Sequence, residues 1–158
     1  MVKGIAVTAL AVGMVLGNPV MAAEQTLRFR LVTHKVSGPW LQAANVEGHG
    51  VGAGQYVGVA VFEDGRVAFK EFVSVSDGSD TEGAYSGYST YTFQNGDSLT
   101  LRFTGGWGSK GDGGDYEVLS GTGAFTGATG TGRFDAVEEA WESASFYDCS
   151  WKLTLEGN

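Results

Sequence analysis

The sequence predicts an all-β chain that closes into a small antiparallel barrel, and three observations carry that prediction. Glycine is abundant and proline scarce, 26 against 2 in 158 residues, while threonine, valine and aromatic residues recur in short runs. Two pairs of apolar runs are joined by Asp64-Gly65 and Asn95-Gly96, dipeptides that suit a type I′ hairpin turn. The stretch GTGAFTGATGTGRF, residues 121–134, carries glycine at 121, 123, 127, 130 and 132. Glycine at that density lets strands approach closely and the backbone take positive φ, so the stretch reads as a tight corner between two strands.

The first residues form a separate unit. Lys3 gives a positive start, residues 5–16 an apolar run, Asn18-Pro19 a break, and Val20-Met21-Ala22 the small residues a signal peptidase reads. Residues 1–22 are therefore expected to be a secretory signal peptide, cleaved after Ala22, with Ala23 the alternative. The apolar run is too short for a membrane span, which needs ~20 residues. No cysteine near the cleavage point offers a lipoprotein anchor. The expected mature domain is 23–158, exported to the periplasm or secreted, with no membrane span once the leader is removed.

Within that domain, Leu27, Phe29 and Leu31 alternate with Arg28 and Arg30, which predicts a half-buried strand over 26–32 with a basic outer face. A weaker candidate covers 41–47, after Pro39-Trp40. The two hairpins place strands at about 56–63, 67–75, 84–94 and 98–104, with 76–83 a polar loop. Residues 105–115, GGWGSKGDGGD, read as a flexible loop at a barrel mouth. Their likeness to a calcium-binding nonapeptide fails, because Ser109-Lys110 stands where an acid is needed and no repeat follows. Short strands at 116–120 and 132–137 flank the glycine corner, with Phe125 as a plug, and residues 143–155 close the chain. Seven to nine strands at this spacing fit a barrel or a sandwich.

Charge and cysteine usage exclude several function classes. The net charge of −8 becomes one unit more negative when the leader takes Lys3 with it, so nucleic acid and anionic membrane surfaces are not expected partners. Cys149 is the only cysteine, which rules out a disulfide within the chain and suits a buried structural thiol. His34 and His49, the only histidines, are too far apart for a zinc pattern, so no metal is expected. The corner lacks the Lys-Ser/Thr ending of a phosphate loop and opens no helix.

The segments EGAYSGYSTYTFQNGDSLTLRF and VLSGTGAFTGATGTGRF resemble the bacterial exported members of the allene oxide cyclase barrel-like group. Its relatives include the plant dirigent proteins and allene oxide cyclases, all calycin-like. The resemblance is carried by residues 82–134, above all by the Gly-Thr-Gly-x-Phe-x-Gly-Ala order of the corner. It implies an eight-stranded antiparallel barrel with a largely apolar cavity and no metal or organic cofactor. It also implies a reactive small molecule oriented or cyclised inside, and a homo-oligomer. The family's cavity acids have no matching positions here.

Candidate site residues follow from strand alternation, since a small barrel points every second residue inward. Val67, Phe69, Glu71, Val73 and Val75 share one phase, with Lys70 and Phe72 in the other. With the valine phase inward, Glu71 would lie in an apolar cavity, its pKa raised by desolvation toward general acid or base work. Tyr85 and Tyr91 share a phase with Phe93, and a tyrosine offers a ring to pack and a hydroxyl to orient a ligand. An inward Asp148 would form a carboxylate dyad with Glu71. Arg102 and Arg133 belong to the outer face or corner. The candidate catalytic residues are thus Glu71, Tyr91 and Asp148, and the candidate ligand-binding residues Phe69, Tyr85, Phe93 and Phe103.

Three functions compete: binding of a small apolar molecule, a cofactor-independent cyclase or isomerase using Glu71 and a tyrosine, and a structural or envelope protein with a filled barrel. The interior decides among them. A barrel packed solid by Phe69, Phe93 and Phe103 favours the third, an open cavity holding Glu71 the second, and an open cavity of apolar groups alone the first.

Overall fold

A computed structural model describes residues 22–137 and 143–156; the leader's charged start, apolar run and break lie outside the described residues. The strands are β1 (Ala23–Ser37), β2 (Trp40–Gln42), β3 (His49–Phe62), β4 (Val67–Ser79), β5 (Gly83–Phe93), β6 (Ser98–Gly108), β7 (Gly111–Gly121), β8 (Thr129–Val137) and β9 (Ser145–Leu155). All pair antiparallel, in the order β1-β9-β8-β7-β6-β5-β4-β3-β2, and β1 also pairs β3. That last pairing closes eight strands into a barrel, with the short β2 appended outside the ring. Closure removes the free sheet edges on which chains otherwise aggregate.

The two hairpins sit where Asp64-Gly65 and Asn95-Gly96 put them, but their turns are not type I′. Gly65 and Gly96 have φ of +87° and +88°, and among the described residues no non-glycine has positive φ. Phe62 N–H donates to the Arg66 carbonyl and Gly65 N–H to the Phe62 carbonyl; Phe93, Gly96 and Asp97 repeat the pattern. This is a three-residue loop, a type I turn whose glycine forms a bulge. It spares Asp64 and Asn95 the left-handed backbone, and each side chain instead accepts the N–H two residues on, from Arg66 and from Asp97, both at 3.1 Å.

Two expected loops are strands. The glycine-rich 105–115 segment pairs with itself, Gly105 with Gly114 and Gly106 with Gly113, because glycines leave room for rings to lie flat on the backbone. A Cβ on Gly105 would sit 2.6 Å from the Tyr85 ring. The 76–83 segment lengthens β4 and leaves only residues 80–82 as the turn. The candidate at 41–47 reduces to β2.

The corner after β7 is a single 3-10 turn, Gly123–Phe125, that drives Phe125 into one end of the barrel. There Phe125 packs on Phe93 with ring centroids 5.0 Å apart. Phe29, Phe62, Phe93, Leu99, Leu101, Trp151 and Leu153 fill the adjoining half of the interior. Phe29, Tyr91 and Trp151 meet there edge to face, a geometry worth about 1 kcal/mol per pair beyond area burial.

Candidate functional site

The other half of the interior is open. A cavity of about 340 Å³ lies between the upper parts of the strands. Its walls are aromatic, Tyr56, Phe72, Tyr85, Phe103, Trp107, Phe134 and Tyr147, and its remaining lining is mostly short and polar, including Thr33, Ser74 and Ser76. Lys70 and Tyr116 form its floor, above the packed half.

The strand phase of β4 is the reverse of the expected one. Phe69, Glu71, Val73 and Val75 face outward and are exposed, while Ala68, Lys70 and Ser74 are buried inside. The alternation rule equates the apolar phase with the inside, and β4 inverts it, with an apolar outer face and a polar lining. Glu71 is therefore outside the cavity, and so is Phe69. Asp148 is also on the outer face, where its carboxylate accepts from the Arg30 guanidinium at 2.9 Å, so it forms no dyad with Glu71. Arg102 and Arg133 lie outside too, paired with Glu117 and Asp135.

The other named residues are inside. Tyr85 and Phe103 line the cavity. Phe93 is in the packed half, stacked on Phe125 rather than on the cavity. Tyr91 is fully buried beneath the floor, its hydroxyl 3.0 Å from that of Tyr116.

At the mouth, the rings of Tyr85 and Trp107 lie nearly parallel, 7° apart, with centroids 6.2 Å apart. Two bonds fix them: the Tyr85 hydroxyl donates to the Asp112 carboxylate, and the Trp107 indole N–H donates to the Ser79 carbonyl at 2.9 Å. Burial, and then the neighbouring Asp112 charge, push the Tyr85 phenol far above its usual range. It is a hydrogen-bond donor and not a base. Gly83 makes the Trp107 position available, since a Cβ there would come within 2.2 Å of the indole.

The floor holds a buried cation. Lys70 is 4% exposed, and its ammonium donates to the Tyr116 hydroxyl at 3.1 Å. It stands 4.2 Å from the ring centre of Phe72, 5.1 Å from Tyr91, 5.2 Å from Tyr116 and 5.4 Å from Phe103. Ring faces attract a cation, but they do not replace water, and burial pulls the Lys70 ammonium down from 10.5 to about 7. Burial pushes Cys149 up to about 12, and holds Tyr91 and Tyr116 well above their usual range. The floor thus contains one group that changes charge near neutral pH, surrounded by groups that stay neutral.

Sequence reasoning placed Lys70 only as the opposite phase to Glu71, and missed Tyr116, Trp107 and Asp112 as lining residues. The usable signal was the pairing of β4 with β5. With Tyr91 and Phe93 inside, their partners Lys70 and Ala68 must be inside as well.

No known family model matches the sequence, and no curated protein does either. Solved structures do match. The pterocarpan synthase dirigent protein GePTS1 superposes with a TM-score of 0.60 at 15% identity, over 94% of this chain and 99% of that one. The chain has the fold of a dirigent barrel. A second pterocarpan synthase dirigent protein, PsPTS1, gives 0.60 at 12% identity, over 86% and 97% of the two chains. A protein of unknown function of the DUF3224 family from Shewanella oneidensis gives 0.53 at 19% identity, over 83% and 96%. These likenesses concern the barrel itself.

Proposed function

We propose that this chain is an exported barrel that binds a small, planar, largely apolar molecule in its open half. The observation that carries the reading is the division of the interior. One half is filled by large aromatic and aliphatic side chains, whereas the other keeps a cavity of about 340 Å³ whose aromatic walls are set among short polar residues, with Lys35, Lys70 and Asp112 also in the lining. That volume lies at the small end of ligand pockets, roughly 300–1,000 Å³, and suits one or two fused rings. The dirigent neighbours support the use of such a barrel for small molecules, since two are described as pterocarpan synthases. The filled-barrel reading lacks its premise.

A cofactor-independent isomerase is the second reading, and one observation favours it. Lys70, Tyr116 and Tyr91 form a hydrogen-bonded row that reaches the cavity floor, and Lys70 exchanges its proton near pH 7. In the same proposal, a homo-oligomer would use the outer face of β3 to β5, where Val59, Val61, Phe69, Val73, Val75 and Tyr88 are exposed.

The test is calorimetric titration with 2-naphthamide, a neutral bicyclic probe, against the mature chain and a Ser76→Trp variant. Ser76 lines the cavity and is half-buried, so a bulky ring there blocks the space without removing a core contact. The expected result is saturable binding to the parent chain and its loss in the variant, with the melting temperature little changed. Equal binding by both places the probe elsewhere and contradicts the reading.

A further inference from the structure

We propose that the ligand is an aromatic carboxylate, whose acid group docks on the Lys70 ammonium beside the Tyr116 hydroxyl while its rings lie against the aromatic walls. The proposal rests on the cavity being a ligand site and names the chemistry of that ligand.

An ammonium has three N–H donors and no acceptor. Lys70 spends one on the Tyr116 hydroxyl and has no other hydrogen-bond partner among the described residues. Buried charges are ordinarily paired, because an uncompensated ion in a low-dielectric site is costly. The groups facing this ammonium from the packed strands are Phe72 on its own strand, Tyr91 on β5, Phe103 on β6, Tyr116 on β7 and Cys149 on β9.

None of those groups brings a negative charge. The two phenols and the thiol are held neutral by burial. Among the described residues no carboxylate lies within ion-pair distance of Lys70. The one acid among the described lining residues, Asp112, is at the mouth and accepts from Tyr85, and the other lysine of the lining, Lys35, is solvent-exposed on β1.

The space beside the ammonium is open rather than sealed, since Lys70 itself lines the cavity. A carboxylate entering from the mouth supplies acceptors for the two remaining N–H donors and the missing counter-charge together. Charge-assisted bonds of this kind are about twice as strong as neutral ones. The aromatic walls then set the rest of the ligand: flat, and short enough to fit above the floor.

A neutral amide of the same shape can accept from Lys70 but cannot neutralise it, so comparing 2-naphthoate with 2-naphthamide isolates the charge. At about pH 6, where Lys70 is protonated, 2-naphthoate is expected to bind the parent chain about ten-fold or more tightly than the amide. In Lys70→Met that preference disappears while the amide still binds. The parent chain gives a second readout that needs no variant. At about pH 8, binding of 2-naphthoate takes up close to one proton, because the free amine is largely neutral and the bound one is charged; at about pH 6 the uptake falls toward zero. Calorimetry in buffers of different ionisation heat reads this directly.

Equal affinity for acid and amide, or binding of 2-naphthoate with no proton uptake at pH 8, overturns the proposal and leaves the cavity standing as a ligand site. Failure of both probes to bind overturns the ligand-site reading itself.

Discussion

Lys70→Met is expected to stabilise the barrel by about 2–4 kcal/mol at pH 6, with the gain shrinking as the pH rises toward 10. The reason is linkage. Lys70 falls from 10.5 in the unfolded chain to about 7 in the folded one. At ~1.36 kcal/mol per pKa unit the drop amounts to about 5 kcal/mol, and the expected gain is smaller because methionine gives up the cation's attraction to four ring faces. A depressed folded pKa means that the unfolded chain binds more protons between about 7 and 10.5, so the parent chain gains stability as pH rises through that window. Below about 7 both states are protonated and the full cost of the buried charge remains.

Cys149 acts in the opposite sense. Its folded pKa is raised to about 12 from 9.0, so above pH 9 the unfolded thiol ionises first and stability is lost as pH climbs. The buried phenols of Tyr91 and Tyr116 add to that loss. The parent chain should therefore be most stable near pH 9, and the difference between parent and Lys70→Met isolates the lysine. Urea denaturation at pH 6, 8 and 10 measures it. An equal or lower stability of the variant at pH 6 would show that Lys70 is compensated in the fold.

The second large effect is expected at Gly87, in β5. A single methyl there would stand 2.0 Å from the Val73 carbonyl oxygen and 2.5 Å from the Phe103 ring. The first neighbour is backbone in the adjacent strand, so relief requires the β4–β5 ladder to part rather than a side chain to swing. Gly87→Ala should cost about 3 kcal/mol or more, at the upper end of overpacking effects. Gly123→Ala in the corner should cost less. Its φ of +58° is unfavourable for alanine, by about 1–2 kcal/mol, but the colliding atoms belong to the Asp97 carboxylate, a side chain able to move. Denaturation midpoints of the two variants rank the ladder against the corner. A milder effect at Gly87 would mean that the strands separate easily there.

Much of the fold was legible because it is written in local signals. Asp64-Gly65 and Asn95-Gly96 mark real hairpins, although the turns solve the strand twist with one left-handed glycine instead of two left-handed residues. The glycine corner is where β7 gives way to β8, and Phe125 does enter the barrel end. The 105–115 stretch misled because glycine reads as loop when its neighbours in space are unknown. Here the missing side chains make way for rings such as Tyr85, which arrive from another strand.

The site was less legible for a related reason. Strand alternation tells the two faces apart but not which is inside, and on β4 the usual equation of apolar with inside is reversed. Phe69 and the valines belong to an exposed apolar surface, while the inner face carries Lys70 and Ser74 toward a cavity. Glu71 and Asp148 were attractive as carboxylates in a presumed interior, and the register puts both outside. Asp112 comes from a hairpin that the sequence reading treated as a loop, and Tyr116 from a short strand whose inner phase it did not assign, so nothing marked them as partners of Tyr85 and Lys70.

The central claim is that a ligand occupies the open half of this barrel, over Lys70. Chemical-shift mapping of the isotope-labelled mature chain, titrated with 2-naphthoate at pH 6, tests it most directly. Saturable shifts should concentrate on Lys70, Tyr85, Phe103, Trp107 and Tyr116, which line the cavity, and should leave Phe125 and Leu153 in the packed half and Val73 and Val75 on the outer face unmoved. Shifts confined to the outer face, or no saturable shifts in the cavity at all, would contradict it.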